Sequence, residues 1–121
     1  MAKIVWNADH YGVEIQTKTE HFVVSYHPSY TMNWHEAKRF TKTTRLIGWD
    51  IPTKEQMSTI AYYLPVINDL MEQNNGFRIF RPHWAEEKDD SYAWYINVGN
   101  GDVNYANKYT VVNVRLVKTL K

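Results

Sequence analysis

The sequence predicts an α+β protein, with strands toward both ends and helices between them. Three observations carry this. Asn100-Gly101 lies between segments that alternate apolar and polar residues, the strongest short-range signal for a β-hairpin. Asn33-x-x-Glu36 and Thr53-x-x-Gln56 each match a helix capping box. Val13 and Ile15, then Phe22, Val23, Val24 and Tyr26, form two short β-prone runs around the polar turn Thr17-Lys18-Thr19-Glu20.

Taken in order, Ile4 to Trp6 is a candidate first strand, and residues 10–27 are a hairpin. His27-Pro28-Ser29 ends it, because proline cannot donate to a ladder. Helix one starts at Asn33, with Trp34, Ala37 and Phe40 at helical spacing. Lys38, Arg39, Lys42 and Arg45 crowd its C-terminal half, where cations complement the helix dipole. Gly48 to Pro52 is an extended connector, since the residue before a proline avoids the helical region. Helix two starts at the Thr53 cap and buries Met57, Ile60, Ala61 and Leu64, a stripe continued by Ile67, Leu70 and Met71. Pro65 makes this one bent helix or two consecutive ones. Asn74-Asn75-Gly76 provides a glycine cap. Phe77 to Phe80 reads as a strand, and Pro82 to Asp90 as a polar loop with an aromatic centre.

Ser91 to Leu120 reads as a three-stranded antiparallel meander. A two-residue type I′ turn at Asn100-Gly101 places Val98 opposite Val103, Ile96 opposite Tyr105 and Trp94 opposite Asn107. Side chains alternate, so Trp94, Ile96, Val98, Val103 and Tyr105 share one face and Tyr95, Asn97, Asn104 and Ala106 the other. One face is core and the other meets solvent. In the third strand Val112, Val114 and Leu116 alternate with Asn113 and Arg115.

At 121 residues the chain is a single domain, 1–121, with no apolar run long enough to span a bilayer. The opening residues do not read as a signal peptide, and the absence of cysteine removes disulfides, thiolate metal sites and a cysteine nucleophile. Cytoplasmic residence is the expectation. A net charge of +1, from 14 basic and 13 acidic residues, is a small excess for a protein that holds nucleic acid through its phosphates. The departure from average is nine Tyr and five Trp, rings that combine large contact area with a polar handle.

No motif for a nucleophile elbow, a phosphate loop or a dinucleotide fold occurs, so no enzymatic activity and no cofactor are expected. Glu86, Glu87, Asp89 and Asp90 form an acidic cluster without calcium-loop spacing, and the histidines at 10, 21, 27, 35 and 83 lack chelating spacing. No metal is assigned. The candidate binding residues are Trp84, Tyr92, Tyr95, Tyr105 and Tyr109, interleaved with Asn97, Asn104 and Asn107. Tyr with Asn suits a protein partner, and equally suits sugar stacking with hydroxyl hydrogen bonds.

Three pieces of the chain, NWHEAKRF, GWDIPTKEQM and AWYINVGNGDVNYANK followed by VNVRLV, resemble in order and spacing the bacterial and phage domains of the DUF1566 type. The likeness spans about residues 32 to 118 and falls on Trp34, Ala37, Trp49, Ile51, Pro52, Thr53, Glu55, Met57, Ala93, Trp94, Val98, Gly101, Val103, Val114, Arg115 and Val117. It implies a C-type-lectin-like fold: two helices packed on a small irregular antiparallel sheet, with the first hairpin adjoining Val112–Leu120. It also implies that recognition lies in the loops Arg81–Tyr92 and Asn104–Thr110. The calcium-binding loop and Trp-Asn-Asp strand of sugar-binding lectins are absent, as is the cysteine pair of the formylglycine-generating branch. Neither chemistry is carried over.

The expected function is therefore that of a non-enzymatic binding module whose partner is a protein. The free-standing form extends this to a phage or mobile-element protein that binds and blocks a host protein. Two alternatives remain: a calcium-independent carbohydrate-binding module, and a nucleic-acid binder using Lys38, Arg39, Lys42 and Arg45.

Overall fold

The computed structural model describes residues 2–42 and 47–120. The first sheet runs β1 (Lys3–Asn7), β2 (Gly12–Gln16), β3 (His21–Ser25), β10 (Val117–Thr119) and β5 (Trp49–Asp50), all antiparallel. The second runs β4 (Tyr30–Met32), β9 (Val112–Val114), β6 (Pro82–Glu87), β7 (Tyr92–Asn97) and β8 (Asp102–Asn107). Its pairings are antiparallel except where β6 meets β9 at His83 and Asn113. Helices α1 (Trp34–Thr41), α2 (Lys54–Tyr62) and α3 (Leu64–Gln73) fall between the strands in sequence, which makes the fold α+β. No described helix is long and apolar enough to cross a membrane.

The predicted first hairpin forms as β2 and β3, and β10 pairs with β3, the adjacency the resemblance implies. Gly12 is needed there: a Cβ would sit 2.1 Å from the Val24 carbonyl oxygen on β3, inside any permissible contact. Both capping boxes form. Asn33 Oδ1 accepts from the Glu36 amide while Glu36 accepts from the Asn33 amide, and Thr53 and Gln56 repeat the exchange. Pro65 stands in the first turn of α3, where its missing N–H costs no helical bond. It therefore separates two helices at Tyr63. Helix α3 ends with the Gly76 and Asn75 amides bonded to the Met71 and Glu72 carbonyls. The left-handed residue of this cap is Asn75, at φ 60°, rather than the glycine after it.

Two apolar clusters hold the layers together. One gathers Val13, Ile15, Phe22 and Val24 with Met57 and Ile60 of α2, Ile67 and Met71 of α3, and Ile96 of β7. The other packs Trp34 and Ala37 of α1 against Trp84, Ala93, Val114 and Leu116. Strand β7 thus contributes to both clusters, so the expectation of one wet face fails for this strand.

The C-terminal expectations need further correction. The β7–β8 connection is four residues, Val98–Gly101, with Asn97 opposite Asp102. The Asn97 carbonyl accepts from both the Asn100 and Gly101 amides, and of this pair Gly101 alone has positive φ. A type I′ turn needs both, so it does not form. The register moves by two residues, which places Trp94 opposite Tyr105 and Ile96 opposite Val103 but leaves each side chain on its expected face.

The third meander strand is also not there. Residues 112–114 leave β8 for a place between β4 and β6, and 117–119 cross into the first sheet. Arg115, expected on a polar face, is 2% exposed.

Phe77–Phe80 is not a strand, because its backbone groups are taken by side chains. Asn68 bonds both the amide and the carbonyl of Ile79, and Arg115 takes the carbonyls of Phe77 and Arg78. Conversely, most of the expected loop 82–90 is strand β6. Pro82 is tolerated as a first strand residue, and Trp84 and Ala85 are buried.

Candidate functional site

In the second sheet β8 is an edge, and all six of its residues except Ala106 are exposed. One face of the β7–β8 ribbon carries Tyr92, Trp94, Val103 and Tyr105. Helix α2 covers this face beside Ile96, and beyond that cover the rings stand open. The Tyr105 ring, 54% exposed, sits edge-on to Tyr92 at 5.5 Å and to Trp94 at 5.8 Å between centroids.

Two lysines reach these rings from outside the ribbon. The first residue of α2, Lys54, places Nζ 4.3 Å from the Trp94 centroid. Lys88, in the β6–β7 connection, places Nζ 4.6 Å from Tyr105 and 5.6 Å from Trp94. That connection is fixed by Asp89, whose carboxylate accepts from the Ser91 and Tyr92 amides at 3.0 Å each. The Ser91 amide is the main reason this carboxyl lies below the usual range. An ammonium over an aromatic face is held electrostatically, so the rings and the cations form one surface.

The predicted site residues do not all belong to it. Tyr92 and Tyr105 are brought together. Trp84 is corrected: it is fully buried, and its indole N–H donates to the Met32 carbonyl at 3.0 Å. Tyr95 lies on the opposite face of the ribbon, packed edge-on to Trp84. Asn104 is exposed on that same opposite face. Asn97 and Asn107 close turns, through Oδ1 on the Gly99 and Tyr109 amides respectively. Tyr109 is well exposed but stands against His35 on α1, ring centroids 4.9 Å apart. Sequence reasoning missed Lys54 and Lys88, which nothing local distinguishes from other surface lysines. It placed Trp94 in the core, whereas the ring is half-buried and its outer part completes the surface.

The other candidate groups take structural roles. Glu86 accepts from the Lys54 amide at 2.7 Å, and Glu87 pairs with Lys108. Among the described residues no three metal-ligating side chains converge. Of the basic set on α1, Lys38 pairs with Asp50 at 3.1 Å, Lys42 caps the helix through its backbone amide, Arg39 is exposed, and Arg45 lies outside the described residues.

A second polar constellation is buried between the sheets. His83 Nδ1 is 2.9 Å from the Arg81 carbonyl, which can only accept, so this nitrogen carries the proton. Nε2 is then the acceptor for the Ser29 hydroxyl at 2.6 Å, and Ser29 Oγ accepts from Arg115 Nε at 3.0 Å. A serine on a histidine has the outline of an activated nucleophile. The chemistry argues otherwise. Burial lowers the His83 pKa to about 4, which makes it a weak base at neutral pH, and the imidazole is closed to solvent.

This histidine has a measurable consequence. The folded state keeps His83 neutral down to about pH 4, whereas an unfolded imidazole protonates near its ordinary value of 6.5. Stability is therefore greatest above pH 6.5 and falls as pH drops toward 4, by about 3 kcal/mol for a shift of this size. Urea unfolding at pH 7.5, 5.5 and 4.5 is expected to show this slope, and His83→Gln is expected to flatten it.

No protein-family model matches the chain, and no curated protein matches it in sequence.

Proposed function

We propose that this chain is a non-enzymatic binding module that recognises a protein partner. An extended segment of the partner would pair with strand β8 and lie over Tyr92, Trp94 and Tyr105. The observation that carries the reading is the undefended edge itself. Strand β8 is six residues long, is unpaired on its outer side among the described residues, and has no proline, lysine or bulge to discourage a further strand. Main-chain bonds along such an edge supply affinity, and the ring surface beside it supplies anchors. A sugar ligand fits less well, since Asn97 and Asn107 are engaged in turns and Asn104 faces away from the rings.

The same reading takes the domain as C-type-lectin-like and similar to the DUF1566 type. Its support is the N-terminal hairpin paired with the C-terminal strand β10, and helices α2 and α3 packed on it. A scaffold of this kind also fits a phage or mobile-element protein that blocks a host protein.

The test is affinity capture of a partner followed by calorimetry with purified components. Tyr92→Ala with Tyr105→Ala is expected to weaken binding by about 100-fold or more, on the scale of two truncated anchor residues. Val103→Lys, which places a charge on the edge, is expected to weaken it about tenfold or more. Both variants are expected to remain folded, with the unfolding midpoint lowered by only a few degrees. Unchanged affinity in both would remove β8 from the interface.

A further inference from the structure

Of the four passages the chain makes between its two sheets, the two that run directly from strand to strand without a helix lie side by side. Residues 26–29 carry β3 into β4, and Arg115-Leu116 carries β9 into β10, with the Ser25 amide bonded to the Leu116 carbonyl at 3.0 Å. Where the sheets part, a cavity of about 390 Å³ opens, walled by the rings of Tyr11, Tyr30, Phe40 and Trp49. That is within the usual range for a small-molecule site, which is mostly apolar with a few placed polar groups.

Its permanent charge is one-sided. Among the described residues that line it, Arg115 is the one charged side chain and none is a carboxylate; His10 and His27 add polar ring nitrogens. Arg115 is almost fully buried, yet every acceptor it has is neutral. Nε donates to Ser29 Oγ at 3.0 Å, Nη1 to the Ser25 and Phe77 carbonyls at 2.9 Å each, and Nη2 to the Arg78 carbonyl at 3.0 Å. A guanidinium has five N–H donors, so one on Nη2 is left over. Among the described residues no Asp or Glu pairs with this cation. A buried charge without a counter-ion is costly, and an entering anion would recover much of that cost.

We propose that this cavity binds a small aromatic carboxylate, its ring between Tyr30, Phe40 and Trp49 and its carboxylate at Arg115. The walls select a planar apolar body, and the floor selects one negative charge. The proposal is independent of the β8 surface, which lies on other residues.

The probe pair is indole-3-acetate and its neutral isostere indole-3-acetamide, titrated into the intact protein at low salt by calorimetry and amide NMR. The acid is expected to bind with a Kd of about 100 µM, typical of a ligand this small, and the amide about tenfold or more weaker. Shifts are expected at the amides of Tyr30 and Val114 to Leu116. Tyr30→Ala, at an exposed wall, is expected to weaken the acid about fivefold without lowering the unfolding midpoint. Because the charge test is carried by the ligands, it does not depend on an Arg115 variant that folds. Equal affinity for acid and amide, no saturation by millimolar acid, or shifts centred away from the cavity would each overturn the proposal.

Discussion

Replacing Arg115 with alanine is expected to cost about 5 kcal/mol, on the order of the whole stability of a domain this size. The side chain joins three separate pieces of the chain: the carbonyl at the end of β3 at Ser25, the linker carbonyls of Phe77 and Arg78, and the Ser29 hydroxyl ahead of β4. Replacing a buried ion pair with apolar groups is often neutral, but only because both partners leave together. Here the three carbonyls would stay behind, each costing about 1–3 kcal/mol when buried without a donor. Lysine cannot rescue the site, since one ammonium cannot reproduce the fork that spans these acceptors. Burial already lowers the Arg115 pKa to about 10, which leaves it charged at neutral pH. Urea unfolding followed by circular dichroism reads the effect; a loss under about 1 kcal/mol would mean that water takes over the carbonyls.

The second large effect separates two aromatic residues that the sequence places in one recognition set. Trp84→Ala is expected to destabilise by about 4 kcal/mol, from the cavity left by a fully buried indole and the loss of its bond to the Met32 carbonyl. Tyr105→Ala, at an exposed edge, is expected to cost less than about 1 kcal/mol. Partner binding should invert the order, with Tyr105→Ala damaging affinity in a protein that remains folded. Unfolding midpoints and calorimetry on the two variants check both halves. Equal destabilisation would contradict the burial of Trp84 against α1 and β4.

What could be read from the sequence was local. Asn33 and Thr53 cap their helices because capping depends on side chains three residues apart. The first hairpin and the faces of β7 and β8 follow from alternation, and these survive a two-residue register error because the period is two. Non-local pairings were not legible. The charged run after Ala85 hides β6, whose strand character comes from Trp84 packing across the sheet rather than from propensity. The V-N-V-R-L-V pattern suggested one continuous strand, although the chain changes sheet at Arg115 and buries it there.

The candidate site divides in the same way. Tyr92 and Tyr105 were recognisable as residue types in a plausible region. Lys54 joins them only because α2 lies across the sheet, and Lys88 only because Asp89 turns the β6–β7 connection. The cavity above Arg115 draws on both sheets and has no contiguous trace in the chain.

The most direct test of recognition through the β8 edge is amide hydrogen exchange across Asp102–Asn107, measured for the free protein and for its complex with the captured partner. The outward amides of an open edge exchange rapidly, and pairing with a partner strand is expected to slow alternate residues by about 100-fold or more. Protection confined to another surface, with β8 exchanging as in the free protein, would contradict the account.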